Sequence, residues 1–98
     1  MIQLMIHAPT EAALARAQSN ARNLLKLEPD AQVEIVVNGP AAAAAVKIDD
    51  EAVLPLLVLC RNSLVNQNLA APASVRTVPA AVLHIAQQQG AGWAYLRA

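Results

Sequence analysis

An α/β fold with a five-stranded parallel sheet, ordered βαβαβαβαβ along the chain, follows from three observations. Residues 54–59, LPLLVL, form an unbroken apolar run. A half-exposed strand would alternate, so this one reads as covered on both faces, as strands of parallel sheets are. Other apolar or β-branched runs at 2–7, 32–37, 75–78 and 93–96 are separated from their neighbours along the chain by stretches suited to a helix. The connections are short throughout, which suits right-handed crossovers between parallel strands.

Ninety-eight residues, 56% of them hydrophobic, make one small domain able to bury a core without disulfides or a metal. Seven basic residues balance seven acidic ones, which leaves no electrostatic footprint for nucleic acid or for an anionic membrane surface. Aromatic content is 2% and phenylalanine is absent, so stacking platforms for bases are lacking too. The N-terminus has no basic leader, and no window reaches the roughly 18 apolar residues of a membrane span. These features predict a cytoplasmic protein. One cysteine and two distant histidines offer no zinc spacing, and no cofactor is expected.

Along the chain, Ala8-Pro9 stops the first strand and Thr10 reads as an N-cap, with Glu11 in the first turn where the helix dipole favours an acid. Leu14, Ala17, Ala21, Leu24 and Leu25 fall near helical spacing opposite Arg16, Gln18, Arg22 and Lys26. This predicts an amphipathic helix of about 17 residues ending at Pro29-Asp30. The β-branched run at 32–37 predicts the second strand. Pro40 and the alanines after it predict a helix over 40–46, since proline suits a first helical position. Residues 47–51, KIDDE, read as a solvated loop, a pair of catalytic or metal-binding carboxylates being the minority reading.

After the organising strand, 62–67 should form a short helix, with Asn68 suited to a left-handed cap. Pro79 should open the last helix at its first position, with Val82, Leu83, Ile85 and Ala86 inward. Gly90 and Gly92 end that helix before the final strand.

Cys60 closes the organising strand, at the sheet edge where ligands of open α/β proteins bind. Two readings of it stand side by side. Free cysteine is often a small buried hydrophobe. A thiol at the N-terminus of the next helix, with Arg61 adjacent, is instead stabilised as the nucleophilic thiolate. His7 ends the first strand and Asn38 the second, so both share that edge. Asn62 and Ser63 suit either an anion held with helix amides or simple capping. His84 reads as a surface or packing residue.

The run Cys60-x-Asn62-Ser63-Leu64, the turn near Asn68-Leu69, the pair Val78-Pro79 and the ending with Gly92 and Tyr95 carry a resemblance, supported by Asn23-Leu24-Leu25 and Val37-Asn38-Gly39. Over nearly its whole length the chain resembles the DsrE-like family of small α/β proteins. The resemblance implies a three-layer α/β/α arrangement, strand order 4-3-2-1-5, and homo- or hetero-oligomers in the cytoplasm. Some members relay sulfur as a persulfide on a cysteine matching Cys60, taking it from a donor and giving it to an acceptor protein; many have no assigned activity. This chain is shorter than the best-known relay members and has Asn68 where glycine is more usual, a change that asparagine's tolerance of the left-handed region accommodates. In that strand order Asn38 neighbours Cys60. His7 lies two strands away, roughly 9 to 10 Å, as a wall of the site rather than a direct base.

A chain 56% hydrophobic and only 14% charged has few polar side chains to cover its surface. Apolar patches left exposed commonly mark partner interfaces. Residues 41–45, with small side chains, and the terminal segment with Trp93 and Tyr95 are the expected contributors. Sedimentation equilibrium should therefore return a multiple of 10.3 kDa; the single-chain mass would sink the expectation.

Overall fold

Each step from one strand to the next is a parallel crossover, and the direction of the steps reverses once. The computed structural model describes residues 1–98. Its strands are β1 (Gln3–Ala8), β2 (Gln32–Val37), β3 (Leu57–Cys60), β4 (Arg76–Val78) and β5 (Ala94–Arg97). Its helices are α1 (Glu11–Leu27), α2 (Ala41–Ala45), α3 (Arg61–Asn66) and α4 (Ala81–Gly90). All pairings are parallel and the sheet order is β4-β3-β2-β1-β5. The chain thus walks outward from β1 to β4, then returns past the start to β5. A right-handed crossover fixes the helix face by the direction of the step. Accordingly α1, α2 and α3 cover one face, where seventeen buried residues form the main core. Only α4 covers the other, over a cluster of Met5, Val36, Val58, Cys60 and Ala81. This is the three-layer α/β/α fold expected from the sequence.

Local chemistry explains most of the boundaries. The Thr10 hydroxyl accepts from the Ala13 amide at 3.0 Å, capping a 17-residue α1 that buries Ala13, Leu14, Ala17 and Ala21. After α3, Asn68 adopts φ 54°, the left-handed conformation that asparagine tolerates. The Leu69 amide then reaches back to the Leu64 carbonyl at 2.9 Å and the Asn68 amide to Val65 at 3.2 Å. These are the two bonds of a Schellman cap.

Four expectations need correcting. The apolar run 54–59 is not one strand: Leu54–Leu56 forms a 3-10 turn with Pro55 in its first positions, and the strand starts at Leu57. Proline brings a fixed φ and no donor, so it serves a turn better than an interior ladder. Pro79 does not open the last helix, because Ala80 stays extended as the N-cap and Ala81 is the first helical residue.

Nor does that helix turn Val82 and Leu83 inward; they are 77% and 48% exposed. Its inner side carries Ala81, His84, Ile85 and Gln88, because a buried carboxylate on β2 selects the two polar residues as partners. The alanine helix also departs from expectation. Ala41, Ala42 and Ala45 are buried within the monomer core and are not available to a partner. No helix is long and apolar enough to cross a membrane.

Gly39 joins β2 to α2 with φ +58°, and a Cβ built there would sit 3.2 Å from the Pro9 carbonyl oxygen. Gly39→Ala is therefore expected to cost about 1–2 kcal/mol, the usual penalty of a side chain in this conformation. Urea unfolding of the two proteins checks it.

Candidate functional site at the carboxyl edge of the sheet

Cys60 is the last residue of β3 and the N-cap residue of α3, so its backbone is extended while its carbonyl side already belongs to the helix. The residue is 6% exposed and its side chain joins the cluster beneath α4. Its Sγ accepts from the Ala81 amide at 3.4 Å. Burial pushes the thiol pKa up. The Ser63 amide and hydroxyl, the Ala81 amide and the Asn62 amide more than offset this, and the thiol ends below its ordinary value of 9.0. Donors aimed at sulfur favour the anion, as at other helix N-termini. Arg61 takes no part: it is exposed, joins no ion pair, and is not among the groups that lower the thiol pKa. The charge expected from the adjacent arginine is supplied instead by main-chain dipoles and one hydroxyl.

Ser63 is the hinge between the thiol and the neighbouring loop. Its Oγ accepts from the Gly39 amide at 2.9 Å, and a hydroxyl so held keeps its own proton free for the thiol sulfur. Gln67 donates to the Gly39 carbonyl at 2.9 Å, so α3 grips both polar groups of that glycine. Asn38, one residue earlier, accepts from His7 Nε2 through Oδ1 at 2.9 Å. Nδ1 of the same ring is hydrogen-bonded to the Tyr95 hydroxyl at 2.6 Å. A hydrogen-bonded row thus runs Tyr95–His7–Asn38 across β5, β1 and the end of β2. Both His7 nitrogens are spent within it. His7 makes no hydrogen bond to Cys60.

Sequence reasoning missed two features. Tyr95, expected only at an interface and in the resembling C-terminal ending, is the partner of His7 across 88 positions. Glu34 in β2 is 3% exposed and fully engaged. Its Oε1 accepts from His84 Nε2 at 2.8 Å and from Gln88 Nε2 at 3.1 Å, and Oε2 faces the Arg76 guanidinium at 2.9 Å. A signal for this existed, since Glu34 is the one charged residue inside a β-branched run and His84 and Gln88 share a helix face at four-residue spacing. Burial pushes the Glu34 carboxyl up, and the Gln88 and His84 hydrogen bonds with the Arg76 and His84 charges outweigh it, so the group sits below 4.5. In the loop at 47–51, Asp50 binds Arg22 at 2.9 Å and the Ala52 amide at 2.9 Å, which places its carboxylate in structural service.

Fold and edge together define an α/β domain with a five-stranded all-parallel sheet and a thiol at its carboxyl edge. No family model and no curated relative matches the chain. Among solved structures it is similar to the protein of unknown function MTH1491 from Methanobacterium thermoautotrophicum, at TM-score 0.75 and 23% identity over 100% of both chains. That likeness shows the fold over the full length.

A carboxyl held below its unfolded value stabilises the fold above that value, and the contribution disappears as pH falls through the folded pKa. Stability is therefore expected to drop below pH 4.5 in part through Glu34. Glu34→Gln should cost about 1–3 kcal/mol near neutrality, as for a lost charged hydrogen-bond partner. Its deficit should shrink as the wild type is acidified. Parallel deficits at pH 7 and in strong acid, measured by urea unfolding, would contradict this role.

Proposed function

We propose that the protein handles sulfane sulfur as a persulfide on Cys60. The observation that supports this reading is a buried thiol whose pKa is held down by converging amide and hydroxyl donors despite its burial. Thiolate, not thiol, is the nucleophile. The resemblance to the DsrE-like family adds the sulfur chemistry. In the step proposed, the Cys60 thiolate attacks the outer sulfur of a donor persulfide, R–S–SH. A bond forms between Sγ and that sulfur as the donor S–S bond breaks. The electron pair of the broken bond leaves with R–S⁻, and the proton stays on the transferred sulfur. No net oxidation occurs. With a single cysteine the chain cannot resolve the persulfide internally. The sulfur passes to the thiolate of an acceptor protein or small thiol by the same exchange in reverse.

His7, Asn38, Asn62 and Ser63 serve this site by position rather than by proton transfer. Ser63 and the Asn62 amide act on sulfur, while Asn38 and His7 brace the adjoining loop. A reduced compartment such as the cytoplasm keeps a lone thiol available. A homo-oligomer fits the same reading, with exposed Val82, Leu83, Tyr95 and Leu96 as the apolar surface that assembly would bury.

One observation favours a second reading. Cys60 is 94% covered in the monomer, as a structural thiol would be. In that case the protein is a non-catalytic oligomeric or small-ligand-binding domain of the same fold. Intact-mass analysis after treatment with a glutathione persulfide donor separates the two. The persulfide reading expects one added sulfur, mapped to Cys60, absent in Cys60→Ser and reduced in Ser63→Ala. An unmodified Cys60 in folded protein would leave only the structural reading.

A further inference from the structure

The thiol lies beneath α4, the one helix that has a face of the sheet to itself. Ala81, its first residue, is 2% exposed and packs in the same cluster as Cys60, and the Ala81 amide is bonded to Sγ. No reagent reaches the sulfur from that side without displacing the start of α4. The helix is lightly held. The buried cluster on this face has five residues, Ala81 of the helix included, against seventeen on the opposite face, and the N-cap residue Ala80 offers no side-chain hydrogen bond. Regions with few buried apolar contacts are the ones that open without global unfolding. At mid-length α4 is fastened by Ile85, which packs on the cluster, and by His84 and Gln88, which both bind Oε1 of Glu34.

We propose that α4 is a cover that opens to admit reactants to Cys60, latched through Glu34 and coupled to the chemical state of the thiol. The latch residues share a face of α4 with Ala81, whose amide holds the thiol; Ala81, His84 and Gln88 follow one another at three- and four-residue spacing. Lifting the N-terminal turn breaks the Ala81 bond to sulfur, and loss of the Glu34 contacts eases that lift. The coupling is reciprocal, because two events that share one conformational equilibrium must influence each other equally. A thiolate accepts strongly from the Ala81 amide. Once Sγ is joined to a second sulfur or a carbon it carries no charge and accepts poorly, so the Ala81 amide in the first turn of α4 loses its acceptor. Reaction at Cys60 therefore favours the open cover and exposes the product to an acceptor. The purpose of this cover rests on the persulfide reading, whereas its mechanics rest on the geometry alone.

Labelling of Cys60 by iodoacetamide in native protein, followed over low urea concentrations, tests the cover without requiring any sulfur transfer. The wild type should label through an opening whose urea dependence is well below that of global unfolding measured on the same protein. Glu34→Gln should label about tenfold faster or more, in line with the loss of a charged hydrogen-bond partner. Gln88→Ala, which leaves the carboxylate and its other partners in place, should show a smaller acceleration. Amide exchange at residues 81–84 should also rise after alkylation. The proposal is overturned if labelling carries the full urea dependence of unfolding, or if both latch variants label at the wild-type rate. A protein that labels as expected yet takes up no sulfur keeps the cover and loses the persulfide reading.

Discussion

Right-handed crossovers tie the face on which each helix lies to the direction in which the chain steps across the sheet. Three steps in one direction gather α1, α2 and α3 on a single face, and the one return step sends α4 alone to the other. The asymmetry of the molecule follows from this reversal. One face has helices enough to bury a continuous aliphatic core. The second has to be closed by ten residues, and it is there that the structure spends its polar devices: a buried carboxylate, its histidine and glutamine partners, and a sulfur serving as acceptor for a helix amide.

Much of this architecture could be read from residues alone because it depended on local signals. Thr10 capping α1, the β-branched residues of β2 and Asn68 in the left-handed region each act within a few positions of themselves. Pro55 and Pro79 depart from their local signals for a shared reason. Proline restricts the residue before it and withholds a donor, yet it does not say how far the next regular element stands off. In one case the strand waits until Leu57, and in the other the helix waits until Ala81. Greater still was the error over which side of α4 faces inward. Hydropathy favoured Val82 and Leu83, while an ion in the sheet required hydrogen-bonding partners and drew in His84 and Gln88. Burying an unpaired carboxylate costs far more than exposing two aliphatic side chains.

The site divides along similar lines. Cys60 was visible because a run of apolar residues ends there and a polar helical segment begins. Ser63 and Asn38 were visible as neighbours of that edge. The roles of Tyr95, Glu34 and the Ala81 amide were not, since each depends on a partner 21 to 88 positions away and on registers that no local pattern encodes. Arg61 shows the opposite failure. Adjacent in sequence, it has no share in stabilising the thiolate, whereas an amide twenty-one residues on does.

The seam between β1 and β5 bears on how the molecule is put together in time. Leu4 to His7 pair with Ala94 to Arg97, and the Ala98 amide is bonded to the His7 carbonyl at 2.9 Å. Closing that seam brings together segments separated by almost the whole chain, so its loop-closure entropy is met before any of its hydrogen bonds repay it. Strands β1 to β3 with α1 to α3 pair in sequence order and can condense first around the larger core. Tyr95 reaches His7 only across that seam, so the polar row along the carboxyl edge is complete only when β5 is paired with β1.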